Sequence, residues 1–341
     1  MFTISRALIV FHTRMIVTVT PAYLKLLESD GLEGRVLDAW RHLEDCDLCA
    51  RYCHVNRFET IDGAVCRTGE HAVVHSHGPH HGEEDPLRGR NGSGTIFFSW
   101  CNLRCVYCQN WDISQKGLGH EIGPEALARM MLELQAMGCH NINFVSPSHV
   151  VAQIIAAVAI AAKQGLELPL VYNTGGYDSL EALQLLDGII DIYMPDMKYA
   201  DSTKAHHFSH VRNYVETNRA AVREMHRQVG DLVMDENGIA ERGLLVRHLV
   251  LPENVSGTDD VLAFLAKEIS PDTYVNIMDQ YRPCYRADEN PPLDRRITHG
   301  EFEQAQARAV DLGLHRFGRS PAWMRQLRLA RVEIAVQYVP Y

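Results

Sequence analysis

Three cysteines crowd the stretch from Trp100 to Asn110, which reads Trp-Cys-Asn-Leu-Arg-Cys-Val-Tyr-Cys-Gln-Asn. Cys101, Cys105 and Cys108 follow a C-x3-C-x2-C spacing directly after the apolar run from Thr95 to Ser99. Three thiolates on one short loop can hold three irons of a 4Fe-4S cluster and leave the fourth iron without a protein ligand. A small molecule can then coordinate that iron and receive an electron. The competing reading, structural zinc, needs four ligands in a closed tetrahedron. Cys139 is a poor fourth: it precedes the next strand, and about seven residues at roughly 3.3 Å each set it about 20 Å from the loop. A buried core thiol is expected there. Cys284 follows the last strand at the same end as the loop, so it stays open as a fourth ligand or a hydrogen-atom relay.

A second group, Cys46, Cys49, Cys53 and Cys66, has C-x2-C-x3-C spacing with the last member twelve residues on. Four soft ligands within so short a stretch suit structural zinc or an auxiliary iron–sulfur cluster, the plain alternative being free thiols in a packed loop. His71, His75, His77, His80 and His81 invite a metal reading too; the intervening Val73-Val74 suggests a strand, and a solvated polar loop is the default for the histidines. Gly78 to Gly82 would shape that loop over the active site.

Elements must bring these groups together. From Thr95 onward, apolar strands alternate with helical patterns. Strands are expected near 95–100, 141–145, 169–173, 189–195, 244–251 and 274–280. Helices are expected near 124–137, 149–164, 178–186, 203–228, 258–268 and 300–312. The first of these starts at Pro124 and shows Leu127, Met131, Leu134 and Met137 on one face. Residues 21–45 also read as helical, with Leu24, Leu27, Val36, Leu37, Trp40 and Leu43 as core positions, broken by Gly31 and Gly34. Six strand–helix units imply parallel strands, hence a partial (β/α)6 TIM-like barrel with an N-terminal helical and Cys-rich extension. An open doubly wound sheet is the competing arrangement. Three regions follow: 1–94, 95–317 as the barrel, and an Arg-rich tail, 318–341.

In a parallel barrel, reactive groups gather where strands end. The expected strands end at the three cysteines, at Ser146-Pro-Ser-His149, at Asn173-Thr-Gly-Gly176, at Asp196-Met-Lys198, at Arg247 and His248, and at Gln280-Tyr-Arg-Pro283. Arg247 and His248 alternate in direction, so only one can face the interior.

With these motifs together, residues 95–282 resemble the core of the radical S-adenosylmethionine (SAM) superfamily, nearest to an uncharacterised branch related to pyruvate formate-lyase activating enzymes. The resemblance implies a 4Fe-4S cluster on Cys101, Cys105 and Cys108, with SAM on the open iron. Reductive cleavage of SAM would give methionine and a 5′-deoxyadenosyl radical that abstracts hydrogen from a substrate. It also implies SAM contacts from Asp196 and Lys198, with Asn173 and Ser146 as further contacts. Two features depart from the family: its Gly-Gly-Glu after the second strand is here Val145-Ser-Pro-Ser, and the ferredoxin-like cysteine insertion of many glycyl-radical activators is absent. A glycyl-radical protein is the leading substrate guess, with a small molecule as the other; an iron–sulfur electron-transfer or sensor protein without SAM chemistry is the alternative function, and a zinc-stabilised scaffold a third. A flavodoxin or ferredoxin is the expected electron donor, docking at Arg88, Arg90, Arg104 and Lys116.

Bulk properties agree with such an enzyme. The 341 residues are 46% hydrophobic and 22% charged with a net charge of -10, which argues against a nucleic-acid partner. Seven of nine cysteines fall in the two clusters, a pattern of metal sites in a reducing cytoplasm rather than of disulfides. No stretch reaches the roughly 18 apolar residues of a membrane span. The run Ala7 to Phe11 superficially resembles a signal peptide, but His12 and Arg14 interrupt it and no small-residue cleavage site follows. Met15 is an alternative start.

Overall fold

The computed structural model describes residues 20–318; the signal-like N-terminal run, Met15 and the tail beyond Gly318 lie outside them. Two helices, α1 (Ala22–Glu28) and α2 (Gly31–Arg41), precede the Cys-rich loop. Then come β1 (Ala72–His80), α3 (Asp85–Arg88), β2 (Ser93–Phe98), α4 (Trp111–Lys116), β3 (His120–Ile122) and α5 (Pro124–Ala136). Regular alternation follows: β4 (Ile142–Val145), α6 (Val151–Lys163), β5 (Leu170–Thr174), α7 (Leu180–Leu186), β6 (Ile192–Pro195), α8 (Ser202–Ser209) and α9 (Tyr214–Val229). The chain closes with β7 (Val233–Met234), β8 (Ala240–Leu249), α10 (Thr258–Phe264) extended by a π turn, β9 (Tyr274–Met278), α11 (His299–Asp311) and β10 (Arg316–Phe317).

The sheet order is β10-β9-β8-β6-β5-β4-β2-β1-β3. From β2 to β10 neighbouring strands are parallel, while β1 runs antiparallel to β2 and β3. The six expected strands are therefore present as a partial barrel whose sheet does not close on itself. The alternation of each strand divides its side chains: Ile96, Phe98, Ile142, Phe144 and Tyr172 face the main core under the helices, while Phe97, Val145, Asn173, Arg247, Asn276 and Met278 face the barrel interior. Apolar positions all round α6 fit a helix covered on every side. Its side chains share the main core with those of β2, β4 and β5, and α1, α2, α5 and α7 pack around it. The N-terminal helices are thus the outer layer that an otherwise exposed apolar helix requires.

Several expectations need correction. The histidine segment is not all loop: Ala72–His80 is a strand, as Val73-Val74 suggest, because Ala72, Val73 and Val74 bury between β2 and β3, while His71, His75 and His81 are exposed. The helix expected over 203–228 is two, broken where His210 and Asn213 take positive φ values of 52° and 51°. Gly31 opens α2 and Gly34 lies within it rather than breaking it. Leu37 is 63% exposed and Met137 56%, so neither is a core residue. Cys139 is buried in the main core as expected.

Candidate active site

The strand that carries Thr95 to Phe98 ends in Trp100, whose positive φ of 65° turns the chain sharply into the cysteine loop. Gly117 makes room for the Trp100 ring: any Cβ there would collide with the indole, and its φ of 68° is one that other residues rarely adopt. The Arg67 and Arg104 guanidinium groups stack over the same ring at 5.3 and 5.8 Å. The loop is tied to the end of α8 by Arg104 N–H to Ser209 O at 3.0 Å and Val106 N–H to Phe208 O at 2.8 Å. Asn102 Nδ2 donates to Tyr177 O at 2.7 Å, holding the loop against the turn after β5. Tyr107, the aromatic before the last cysteine, buries edge-on against Tyr199 and Tyr281 and accepts a hydrogen bond from the Tyr199 hydroxyl at 2.7 Å. The loop is therefore built by the protein itself.

Cys101, Cys105 and Cys108 all line one cavity of about 660 Å³, together with Ser146, Asn173, Asp196 and Lys198. The sulfur of Cys105 receives a hydrogen bond from Ser209 Oγ at 3.0 Å, and Cys108 Sγ lies 3.1 Å from Ser114 Oγ. Burial pushes all three thiols up, Cys105 to about 12, while the Lys198 ammonium pulls each partly back. They stay neutral until a metal displaces their protons. Among the described residues no three Cys, His, Asp or Glu side chains are gathered closely enough to hold a single ion. A cubane needs no such convergence, since it stands between its ligands. Three thiols on one preformed loop, facing a cavity with a cation beside them, fit a cluster with three protein ligands.

Beside the loop runs a chain of charges. Lys198 Nζ donates to Asp196 Oδ2 at 2.6 Å, Arg247 Nε donates to Asp196 Oδ1 at 2.8 Å, and Arg247 Nη2 donates to Asn173 Oδ1 at 2.7 Å. Burial alone would raise the Asp196 carboxyl, but Arg247 and then Lys198 reverse this and hold it below the usual range. Burial would likewise lower Lys198, and Asp196 more than offsets it. Gly176 is the hinge of this wall: at φ 75° it brings the turn after β5 against Asp196 O and the Asn218 amide, where no Cβ fits. Behind it, Asp178 accepts from Tyr172 OH at 3.0 Å and Thr174 Oγ1 at 2.7 Å, and Ser148 Oγ lies 2.9 Å from Thr174 Oγ1. Ser146 itself takes a positive φ of 59° at the end of β4, in the place of the expected glycine.

The family model of the radical SAM superfamily matches residues 95–236, which run from β2 through the cysteine loop to just past β7. An uncharacterized protein of Methanocaldococcus jannaschii is 32% identical over 292 residues, which are 83% of this chain and 79% of its own length. The chain belongs to the radical SAM superfamily. Among solved structures, a radical SAM methyltransferase from Sphaerobacter thermophilus is 12% identical with a TM-score of 0.45, covering 90% of this chain and 96% of that one. HydG, a maturase of the FeFe-hydrogenase, is 12% identical with a TM-score of 0.44, covering 64% and 49% respectively.

This radical SAM chain places its other candidates elsewhere. Arg247, not His248, faces the interior; His248 is buried outward, with Nδ1 at 2.7 Å from Met197 O and Nε2 at 2.9 Å from Thr258 Oγ1. Cys46, Cys49, Cys53 and Cys66 surround a separate enclosed space of about 10 Å³ beside Arg57 and His149. There the Cys53 thiol donates toward Cys46, lowering Cys46 to about 6, while burial pushes Cys49 up to about 12. The histidines of β1 are dispersed: His75 Nδ1 lies 3.0 Å from Leu118 O, and His77 Nε2 lies 3.0 Å from Glu133. The sequence reading named no role for Glu83 and Glu84, which line the main cavity; the signal was two adjacent acids shortly after the strand that begins at Ala72-Val73-Val74.

Proposed function

We propose that the main cavity binds a 4Fe-4S cluster on Cys101, Cys105 and Cys108 with SAM beside it, and that the chain abstracts hydrogen from a substrate held there. The observation that carries this reading is one cavity lined by the three thiols and by the linked array Lys198, Asp196, Arg247 and Asn173. Bound there, the cluster and SAM supply reductive carbon–sulfur cleavage, with methionine and 5′-deoxyadenosine as products once a substrate hydrogen has been taken. The chain's own residues do the positioning. Lys198 and Asp196 present a cation and an anion on a fixed scaffold, matching the carboxylate and ammonium of an amino-acid moiety. Asn173 and Ser146 offer polar groups from the ends of β5 and β4. Tyr107, Tyr199 and Tyr281 pack the back of the cysteine loop and keep water from it. The anaerobically reconstituted, reduced protein should convert SAM to methionine and 5′-deoxyadenosine. Cys105→Ala should abolish that conversion, and unchanged turnover in the variant would rule the assignment out.

The finer reading is that of an activating enzyme in the lyase and oxidoreductase classes, whose substrate is a glycyl-radical protein. It rests on the resemblance of the cysteine segment, Val171-Tyr-Asn-Thr and Gln280-Tyr-Arg-Pro. An EPR doublet appearing in a co-incubated glycyl-radical protein tests it.

The electron would come from an acidic flavodoxin or ferredoxin. Of the basic candidates, Arg88 is paired with Asp85, and Lys116 lies 4.2 Å over the Trp111 ring. Arg104 joins Arg51, Arg67 and His210 around an open groove on the outer side of the cysteine loop, and this basic groove is the better fit to an acidic donor. For Cys46, Cys49, Cys53 and Cys66 we favour zinc: four thiols surround one small enclosed space, as a closed four-ligand site requires. Binding there requires the thiols to turn inward from their present rotamers.

A further inference from the structure

The floor of the cavity carries more negative charge and more unsatisfied polar atoms than the cluster and SAM account for. β1 runs antiparallel to β2, so its end and the following α3 enter the barrel at the mouth opposite the cysteines. Leu87 of α3 plugs that mouth with Val171, Ile192, Met194, Leu245 and Tyr274. Just before the plug in the chain, Glu83 and Glu84 face the cavity. The Glu84 side chain is 6% exposed. Its Oε1 accepts from Asn276 Nδ2 at 3.1 Å, whereas its buried Oε2 has no partner. Asn143, fully buried on β4, lies beside Glu83 and helps its ionised form, yet neither its amide nitrogen nor its oxygen closes a hydrogen bond. Buried acceptors left unpaired cost free energy that a bound donor recovers.

Arg247 offsets this pair only in part. Its Nε and Nη2 are taken by Asp196 and Asn173, and only Nη1 points toward Glu84, at 3.9 Å. The guanidinium therefore separates the glutamates from Asp196 and Lys198, which stand on the cysteine side. Burial and then the neighbouring Glu84 raise Glu83 to about 7, as expected for two adjacent carboxylates without a full counter-charge.

We infer that Glu83 and Glu84, backed by Asn143, form the substrate-recognition subsite, and that it takes a cationic group with several N–H donors, a primary ammonium or a guanidinium, on the molecule that loses hydrogen. This rests on the reading of the cavity as the place of hydrogen abstraction. Glu84 Oε2 and the Glu83 carboxylate offer such a group its acceptors, with the unpaired Asn143 amide buried behind them. SAM carries an ammonium of its own, but the place of Arg247 assigns that ammonium to the opposite side.

The test is isothermal titration of the full, cluster-reconstituted chain at pH 8.5. The probes are n-butylammonium, n-butylguanidinium and acetyl-Gly-Lys-Gly-amide, with n-butanol as the neutral control; SAM is titrated separately and in competition. At least one cation should bind about tenfold or more tightly than butanol, and Glu84→Gln with an unchanged far-UV spectrum should lose about tenfold in that affinity. Preference for the free amines over the peptide indicates a small-molecule substrate, and the reverse a protein side chain; either supports the inference. Equal binding of cations and butanol in the wild type would overturn it and leave the floor to ordered water alone, a result that needs no variant to fold. Competition between the cations and SAM would also overturn it, by giving the glutamates to the SAM ammonium. Cation binding in a protein that fails to bind SAM would defeat the proposed function and leave the subsite standing.

Discussion

Replacing Glu83 by Gln should stabilise the protein at high pH and do nothing at low pH. Burial first, then the adjacent Glu84, raise the folded-state pKa of Glu83 from 4.5 to about 7, with Arg247 and Asn143 pulling the other way. An acid that holds its proton more tightly when folded loses nothing below its unfolded value. Its ionisation then costs stability progressively as pH rises through the window, and the full cost is present above the folded value. The window here runs from about 4.5 to about 7. A displacement of that size is worth on the order of 3 kcal/mol, and the solvent that still reaches half-buried Glu83 trims this to ~1–3 kcal/mol. Gln has the same shape and no charge to ionise, so the variant avoids the cost. Urea unfolding of the cluster-free protein, followed by circular dichroism from pH 4.5 to 8, should give coincident stabilities at the acid end and a variant more stable by ~1–3 kcal/mol at pH 8. Parallel stability curves across the window, or a variant less stable at pH 8, would refute the claim that the floor holds an under-compensated carboxylate pair.

Other consequences are as direct. Gly176→Ala places a Cβ against Asp196 O and the Asn218 amide at a positive φ, so it should cost ~2–4 kcal/mol in thermal or urea unfolding; a loss below about 1 kcal/mol would show that the wall is not rigid. Arg67→Glu in the basic groove beside the cysteine loop should slow cluster reduction by an acidic flavodoxin about tenfold at low salt and flatten its salt dependence. An unchanged rate would move the docking surface elsewhere. A variant with Cys101, Cys105 and Cys108 all replaced by Ala should still carry one zinc per chain in elemental analysis, held by Cys46, Cys49, Cys53 and Cys66. Four retained irons would make that site an auxiliary cluster instead.

The barrel was legible because its strands are short apolar runs between well-marked helices, and because polar groups recur at the same strand ends. The three cysteines, Ser146, Asn173, Asp196 and Lys198 could be grouped from the sequence, since a parallel sheet brings all its strand ends to one face. The segment around β1 was legible only at Val73-Val74, which suggested a strand. His75, His77 and Gly78 break the alternation there, and only pairing with β2 and β3 makes it a strand. The consequence was that no role was named for Glu83 and Glu84, which the antiparallel β1 carries to the barrel floor. Arg247 posed a parity question that sequence alone left open: the alternation allowed either it or His248 to face inward, and the Asp196 partner decides it. His210 and Asn213 split a helical pattern because two left-handed residues interrupt it, a choice that helical periodicity does not encode.

Electron paramagnetic resonance of the chain, reconstituted with iron and sulfide without oxygen and then reduced, tests the account at its root. A four-iron signal should appear, vanish in Cys105→Ala, and change its g-values when SAM is added, because one iron is free to take a new ligand. No four-iron signal, or one indifferent to SAM, would contradict the account.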